Sequence, residues 1–241
     1  MLRTIAWYTN FATSLVFKMP QIYKVKKLDR QGKTEEKEKY IDKVTSSWAM
    51  KQVKISGAKI KVFGSENIPK DIPVVFISNH QGNFDIALFM SFIDKPKGYV
   101  AKIEMKKIPL LRTWMEFINC VFMDRSNLRK SAEAIINGVK ILKKGHSLVI
   151  FPEGTRSKGD KIGDFKAGSF KLATKAKVPI VPVTINGSYK IMEANNGRIH
   201  PADVEIYIHP MIETASLSKE DKETLPKKVK SIIESKLPSI K

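Results

Sequence analysis

The sequence predicts an α/β fold: a mainly parallel, covered sheet of about seven strands with flanking helices, preceded by an N-terminal helical hairpin. Short runs rich in Val, Ile and Phe recur along the chain, and segments with helical spacing alternate with them. This alternation is typical of a parallel sheet with helices on both faces. At 241 residues and 42% apolar content, the chain is long enough for one substantial hydrophobic core.

Seven short runs rich in β-branched and aromatic residues predict the strands. They lie near residues 55–63, 73–78, 98–102, 119–123, 147–151, 180–186 and 203–209. Helical spacing predicts helices between them at residues 84–93, 109–117, 128–143 and 166–177. A further helix is expected after Ser218, which forms a Ser-x-x-Asp cap pattern with Asp221. We expect Pro226 to break or start a helix there.

The chain divides into a basic, aromatic N-terminal segment, residues 1–54, and an α/β domain, residues 55–241. Aromatic residues precede a cluster of cations in the N-terminal segment, and residues 29–32 predict a turn between two helices. This order is typical of a segment that lies in a bilayer interface near anionic head groups. The alternative is a helical hairpin packed on the domain with a solvated charged face. No uncharged apolar run is long enough to predict a transmembrane helix, and no signal peptide is expected.

The composition predicts an anionic partner, because 43 Lys and Arg outnumber 24 Asp and Glu and leave a net charge of +19. Nucleic acid, an anionic membrane, or a phosphorylated or acidic protein substrate would fit this charge. A nucleic-acid partner is not expected, since no zinc-ligand spacing, aromatic RNA-binding block or helix-turn-helix pattern is present. The single Cys120 excludes an internal disulfide and a cysteine-based zinc site. Its apolar surroundings predict a buried thiol, and the four histidines are not spaced as metal ligands.

Three polar clusters follow three predicted strands. His80 and Asp85 lie five residues apart after the first, Asp124 and Arg125 follow the second, and residues 151–157 (Phe-Pro-Glu-Gly-Thr-Arg-Ser) overlap the end of the third. A histidine exchanges protons near neutral pH, and a carboxylate on its other nitrogen fixes its tautomer and orientation. Because the carboxyl ends of parallel strands meet at one edge, we expect the three clusters to converge on one crevice.

These clusters, together with residues 178–183 (Val-Pro-Ile-Val-Pro-Val), resemble the sequence blocks of the 1-acylglycerol-3-phosphate acyltransferase (lysophosphatidic acid acyltransferase) family. Residues 101–109 are also similar to the segment between the first two blocks. The likeness spans about residues 74–185, and the residues between His80 and Asp85 depart from the commonest pattern. The two prolines in residues 178–183 predict an edge or irregular strand.

The resemblance implies transfer of an acyl group, without a cofactor, from a thioester of acyl carrier protein or CoA to the free hydroxyl of lysophosphatidic acid. It implies that His80 is the general base and that Asp85 orients it. The residues expected to bind the acceptor and its phosphate are Glu153, Gly154, Thr155 and Arg156, with Arg125 and Lys102 as second candidates. Glu153 is expected to accept hydrogen bonds from neighbouring groups or from the glycerol, because a carboxylate does not bind phosphate directly.

Several alternatives stay open. Arg125 and Lys102 could instead be ion-pair partners, Arg125 with Asp124. The acceptor could be glycerol 3-phosphate or another lysolipid, and a non-catalytic membrane-binding protein is a more remote reading. The positive charge suits either donor, because acyl carrier protein is acidic and CoA is polyanionic. The expected location is the cytoplasmic face of the cell membrane, as a peripheral or monotopic protein.

Overall fold

The computed structural model describes residues 1–238, and the last three residues of the predicted 55–241 domain lie outside them. The strands form one seven-stranded sheet in the order β1-β7-β6-β2-β5-β3-β4. Pairing is parallel from β4 through β3, β5 and β2 to β6, while β7 runs antiparallel to β6 and parallel to β1. The predicted mainly parallel sheet is confirmed. The strands are β1 (Lys59–Phe63), β2 (Val75–Ser78), β3 (Lys97–Lys102), β4 (Val121–Met123), β5 (Ser147–Ile150), β6 (Ile180–Asn186) and β7 (Asp203–Ile208).

Helices cover both faces of this sheet. Phe76 of β2 belongs to one hydrophobic cluster, and its neighbours Val75 and Ile77 belong to another. Successive strand residues point to opposite faces, so β2 is buried on both sides, as a parallel strand under two helical layers should be. The helices are α1 (Leu2–Phe17), α2 (Met19–Arg30), α3 (Thr34–Ser56), α4 (Phe84–Phe92), α5 (Pro109–Phe117), α6 (Leu128–Lys143), α7 (Lys171–Ala176) and α8 (Lys219–Glu234).

The largest differences from the predicted boundaries are at the first strand and at the helix predicted over residues 166–177. Helix α3 continues to Ser56 and ends at Gly57, whose φ of +76° is the left-handed conformation that terminates helices. The first strand therefore begins at Lys59 and not near residue 55. The predicted helix at 166–177 is a 3-10 turn, Ala167–Phe170, followed by the short helix α7.

Two expectations about prolines are wrong. Pro226 lies inside α8, where the Ser218–Asp221 capping box and buried apolar residues hold the helix although one backbone N–H is missing. Pro182 lies in β6, a buried strand between β2 and β7. It sits just beyond the last β6–β7 residue pair, and its carbonyl accepts from the His209 N–H. Its missing N–H faces the β7 side, where the ladder ends, so little pairing is lost.

The N-terminal helices pack on the domain through Trp7 of α1 and through a small cluster in which Val25 of α2 and Ile41 of α3 join Trp114 of α5. Trp7 of α1 is buried, its ring centroid lies 5.3 Å from that of Phe84 in α4, and its indole N–H donates to the Gln52 carbonyl of α3. Other apolar side chains of α1 and α2 are exposed: Leu2, Ile5, Tyr8, Val16, Phe17, Met19 and Tyr23. Within residues 1–238, the helices are too short or too polar to cross a membrane.

Candidate active site

His80 and Asp85 lie where β2 ends and α4 begins. Asp85 is in the first turn of α4 and is fully buried, and its Oδ2 lies 2.7 Å from Nδ1 of His80. With Nδ1–H donated to Asp85, the lone pair of a neutral imidazole is on Nε2. The His80 ring stacks on Phe151, with 4.1 Å between ring centroids. The carboxylate and the aromatic ring together hold the imidazole in one orientation, which is what a general base requires.

The Asp85 carboxylate is fixed by two further donors. The Gly82 N–H donates to Oδ2 over 2.9 Å, and the Ser188 hydroxyl donates to Oδ1. Ser188 is itself buried and follows β6, so it reaches Asp85 from another part of the chain. Both oxygens of a fully buried carboxylate are therefore satisfied, and the negative charge beside His80 is stabilised.

The loop that carries His80 is tied to the loops after β5 and β6. The His80 carbonyl accepts from the Ser157 N–H over 2.7 Å. The Asn79 side chain donates to the Ile185 carbonyl and accepts from its N–H, over 2.8 and 2.9 Å. The Gln81 side-chain oxygen accepts from the Gly187 N–H over 2.8 Å. Three strand ends thus form one hydrogen-bonded edge, as the sheet topology predicts.

Glu153 supports this edge from a buried position. Its Oε1 accepts from the His80 N–H over 2.7 Å, and its Oε2 accepts from the Gly163 N–H over 2.8 Å. The side chain is mostly shielded, and this burial raises the pKa of Glu153, although the two backbone donors oppose the shift. Both oxygens thus contact neighbouring backbone groups, one of the two arrangements expected from the sequence. Its part in binding the acceptor stays a prediction.

Arg125 contacts the glycine of the 151–157 block. Its Nη1 donates to the Gly154 carbonyl, so the ion pair with Asp124 considered above is wrong. Asp124 instead accepts from Ser126 and lies 3.5 Å from the Lys130 amine. Gly154 has a φ of +74°, and a Cβ there would lie 3.0 Å from the Lys166 amine and 3.3 Å from Arg125 Nη1. Glycine thus allows two cations to approach the backbone at this turn.

The other predicted acceptor residues lie around the same edge. Arg156 Nη1 lies 3.1 Å from Glu193 Oε1, and its side chain is 36% exposed. Thr155 is exposed beside it. Lys102 is exposed at the end of β3 and is paired in register with Met123, two residues before Arg125.

Three residues of this edge lie outside every sequence motif: Lys166, Ser188 and Glu193. Gln81 lies inside the His80–Asp85 block, but the sequence gives no sign of its contact with the Gly187 N–H. Ser188 and Glu193 follow β6 and lie more than a hundred residues from the groups they contact in the His80 loop. A lone Ser or Glu in a loop has no characteristic spacing, so only the three-dimensional structure shows their contacts.

Neither a nucleophilic thiol nor a metal cluster accompanies this edge within residues 1–238. Burial raises the pKa of Cys120 to about 12, so its thiol stays protonated at neutral pH. No group of three or more histidine, cysteine or acidic side chains in this range could hold a metal ion.

Several known proteins with a similar sequence or structure are acyltransferases. The Acyltransferase family model matches residues 59–186. A 1-acyl-sn-glycerol-3-phosphate acyltransferase of Borreliella burgdorferi is 34% identical over 78% of this chain and 75% of its own length. A probable 1-acyl-sn-glycerol-3-phosphate acyltransferase of Mycoplasma pneumoniae is 40% identical, over 63% of this chain and 58% of its own length. The crystal structure of the 1-acyl-sn-glycerophosphate (LPA) acyltransferase PlsC from Thermotoga maritima superposes with a TM-score of 0.84 at 29% identity, covering 97% of this chain and 92% of that one.

Proposed function

We propose that this chain, which belongs to the Acyltransferase family, transfers a fatty acyl group from an acyl thioester to the free hydroxyl of 1-acylglycerol 3-phosphate. The product is phosphatidic acid. The observation that carries the proposal is the 2.7 Å contact between His80 Nδ1 and a fully buried Asp85 at the carboxyl edge of the sheet. The names of the relatives support the acceptor, and glycerol 3-phosphate or another lysolipid is the second candidate.

His80 acts as the general base in this proposal. Its Nε2 takes the proton from the acceptor hydroxyl while that oxygen attacks the thioester carbonyl carbon. When the tetrahedral intermediate collapses, the carbon–sulfur bond breaks and the protonated His80 gives the proton to the leaving thiolate. The buried carboxylate of Asp85 stabilises the imidazolium between these two steps. The acyl group passes directly from donor to acceptor, so no covalent acyl-enzyme is needed.

The acceptor phosphate is bound in this proposal by cations of the same edge. Arg156 is the first candidate, because its guanidinium is partly exposed. It also lies in the loop whose Ser157 N–H donates to the His80 carbonyl. Arg125 beside Gly154, the exposed Thr155 hydroxyl and Lys102 are further phosphate ligands. Glu153 contributes by holding the His80 backbone, and through it the acceptor site.

Replacing Arg156 with alanine should raise KM for lysophosphatidic acid by about tenfold to a hundredfold, because a charge-assisted contact to phosphate is lost. Steady-state kinetics with acceptor in mixed micelles measures this. Arg198→Ala changes an exposed arginine and is the matched control. The phosphate role of Arg156 is wrong if both KM and kcat of the Arg156→Ala variant equal those of the wild type.

The N-terminal segment, residues 1–54, is proposed to lie on an anionic membrane at the cytoplasmic face, with the α/β acyltransferase domain, residues 55–241, attached. Its exposed apolar side chains include Leu2 at 86% and Phe17 at 76% exposure, and Lys24, Lys26 and Lys27 of α2 are exposed as well. Apolar groups can enter the interface while the lysines contact anionic head groups.

Replacing Leu2 and Phe17 together with serine should weaken binding to vesicles of mixed anionic and zwitterionic lipid by at least about tenfold. Burying one such side chain contributes roughly 1.5–3 kcal/mol. Co-sedimentation of the full chain measures binding. The matched control is Met211→Ser, which changes an exposed residue beside the first residues of β6, at the edge opposite the site. Equal binding by wild type and the double variant would favour a hairpin that only packs on the domain.

The reaction itself is tested by release of free thiol from acyl-CoA and, separately, from acyl carrier protein. Lysophosphatidic acid is supplied in micelles and then in vesicles, and the product is identified by mass. Phosphatidic acid with either donor supports the proposal, and the ratio of rates identifies the preferred donor. Turnover only with glycerol 3-phosphate or another lysolipid would assign the second candidate. No turnover with any of these acceptors on vesicles would favour a non-catalytic protein.

A further inference from the structure

Glu193 links the two sequence motifs of the site although it belongs to neither. It begins the 3-10 turn Glu193–Asn195 after β6, and its side chain is only 5% exposed. Its Oε1 accepts from the Asn83 N–H over 2.8 Å and lies 3.1 Å from Arg156 Nη1. Asn83 lies between His80 and Asp85, so one carboxylate oxygen joins the loop of the base to the arginine of the 151–157 block.

The loop of the base is shaped to fit this carboxylate. A Cβ built on Gly82 would lie 2.5 Å from Glu193 Oε2, closer than real side chains approach, so the backbone passes directly over the carboxylate. Oε2 has no hydrogen-bond partner among residues 1–238. A shielded carboxylate with one unsatisfied oxygen is costly without a cation, and Arg156 is the cation that contacts it. The position of Arg156 is therefore coupled to that of the loop.

Part of the Arg156 guanidinium is available to donate hydrogen bonds to a ligand. The contact with Glu193 uses Nη1, and a guanidinium carries further N–H groups on Nε and Nη2 in a rigid planar fork. Its side chain is partly exposed, whereas that of Glu193 is not. A buried carboxylate on one side of the fork fixes its plane and leaves the other donors for an anion.

We propose that Glu193 is a positioning residue for the acceptor. It holds the Arg156 guanidinium in a fixed position relative to the His80 loop. The bound phosphate then lies at a set distance from Nε2, and the acceptor's free hydroxyl reaches the base. The inference rests on the proposed phosphate role of Arg156. It adds that the phosphate site is aligned to the base through a third segment of the chain.

Glu193→Gln tests this in the full chain. Glutamine keeps an oxygen that accepts from the Asn83 N–H but removes the charge that holds Arg156. KM for lysophosphatidic acid should rise about tenfold and kcat should fall by about threefold to tenfold, because a charge-assisted contact becomes a neutral one and the bound acceptor is no longer held at a set distance from Nε2. In an Arg156→Ala background, the same substitution should change KM by less than about twofold, since no guanidinium remains to be positioned. Glu213→Gln, which changes an exposed glutamate, is the matched control.

The outcomes separate this inference from the proposed function. If Arg156→Ala raises KM but Glu193→Gln has the same effect with and without Arg156, Glu193 is only structural and the inference is overturned. A fall in kcat at unchanged KM overturns it as well. If Arg156→Ala changes neither constant, the phosphate role fails and the inference fails with it. Should Glu193→Gln not fold, Glu193→Asp keeps the charge but withdraws it by one methylene, and an unchanged KM in that variant would also overturn the inference.

Discussion

Replacing His80 with alanine should lower kcat for acyl transfer to lysophosphatidic acid by ~10²–10⁴-fold, the range that general acid–base catalysis supplies. The expected loss follows from the geometry, because Asp85 and Phe151 hold this imidazole in one orientation. Thiol release and product mass, measured for wild type and variant with the same donor, give the ratio. KM for the acceptor should change little, since the phosphate contacts stay in place.

A matched control for this variant is His200→Ala, which removes an exposed imidazole that makes no part of the site. Thermal unfolding of both variants shows whether the fold persists. The general-base role is wrong if a folded His80→Ala variant retains more than about a tenth of the wild-type kcat.

Replacing Asp85 with asparagine should lower kcat by at least ~10²-fold while leaving the side-chain shape almost unchanged. An amide can donate to Nδ1, which would move the imidazole proton to Nε2 and remove the lone pair that the acceptor hydroxyl needs. The neutral amide also fails to stabilise the imidazolium. The same kinetic assay measures the effect, with kcat and KM determined separately.

Asp71→Asn, a change at an exposed residue in the segment before β2, is the control for this second variant. If Asp85→Asn is folded and keeps a kcat within about threefold of wild type, Asp85 does not set the tautomer and the proposed mechanism is wrong. If kcat recovers when the Ser188 donor is also removed, the asparagine side chain has rotated, because Ser188 contacts the opposite oxygen of residue 85.

Most of the fold was predictable because its strands are short apolar runs. Most of them are separated by segments whose apolar residues recur at helical spacing. Six of the seven predicted runs contain a whole strand, the seventh covers all of β3 except Lys97, and α5 and α6 have the predicted bounds. The errors arise where local preference yields to tertiary structure. Pro182 is accommodated in a central strand because its missing N–H falls at the end of the β6–β7 ladder, and the register of two strands cannot be seen in one sequence.

The site was predictable only where its residues follow one another closely along the chain. His80 with Asp85, and Arg156 within its block, are local patterns of this kind. Arg125 was predicted as a phosphate candidate, but its contact with the Gly154 carbonyl depends on how two strand ends meet. Ser188 and Glu193 are single polar residues in a loop, and their contacts arise from the packing of three loops at one edge.

The position of the first strand has a consequence for biosynthesis. Strand β1 has β7 as its neighbour in the sheet, so it emerges from the ribosome long before its partner. Pairings between distant parts of a chain form late, because loop closure must precede them. Ser188 and Glu193 lie between β6 and β7 and are also synthesised late. A nascent chain that ends before them would carry His80 and Asp85 but lack the Ser188 hydroxyl and the Glu193 carboxylate. The side of β1 that pairs with β7 would stay open to pairing with other chains.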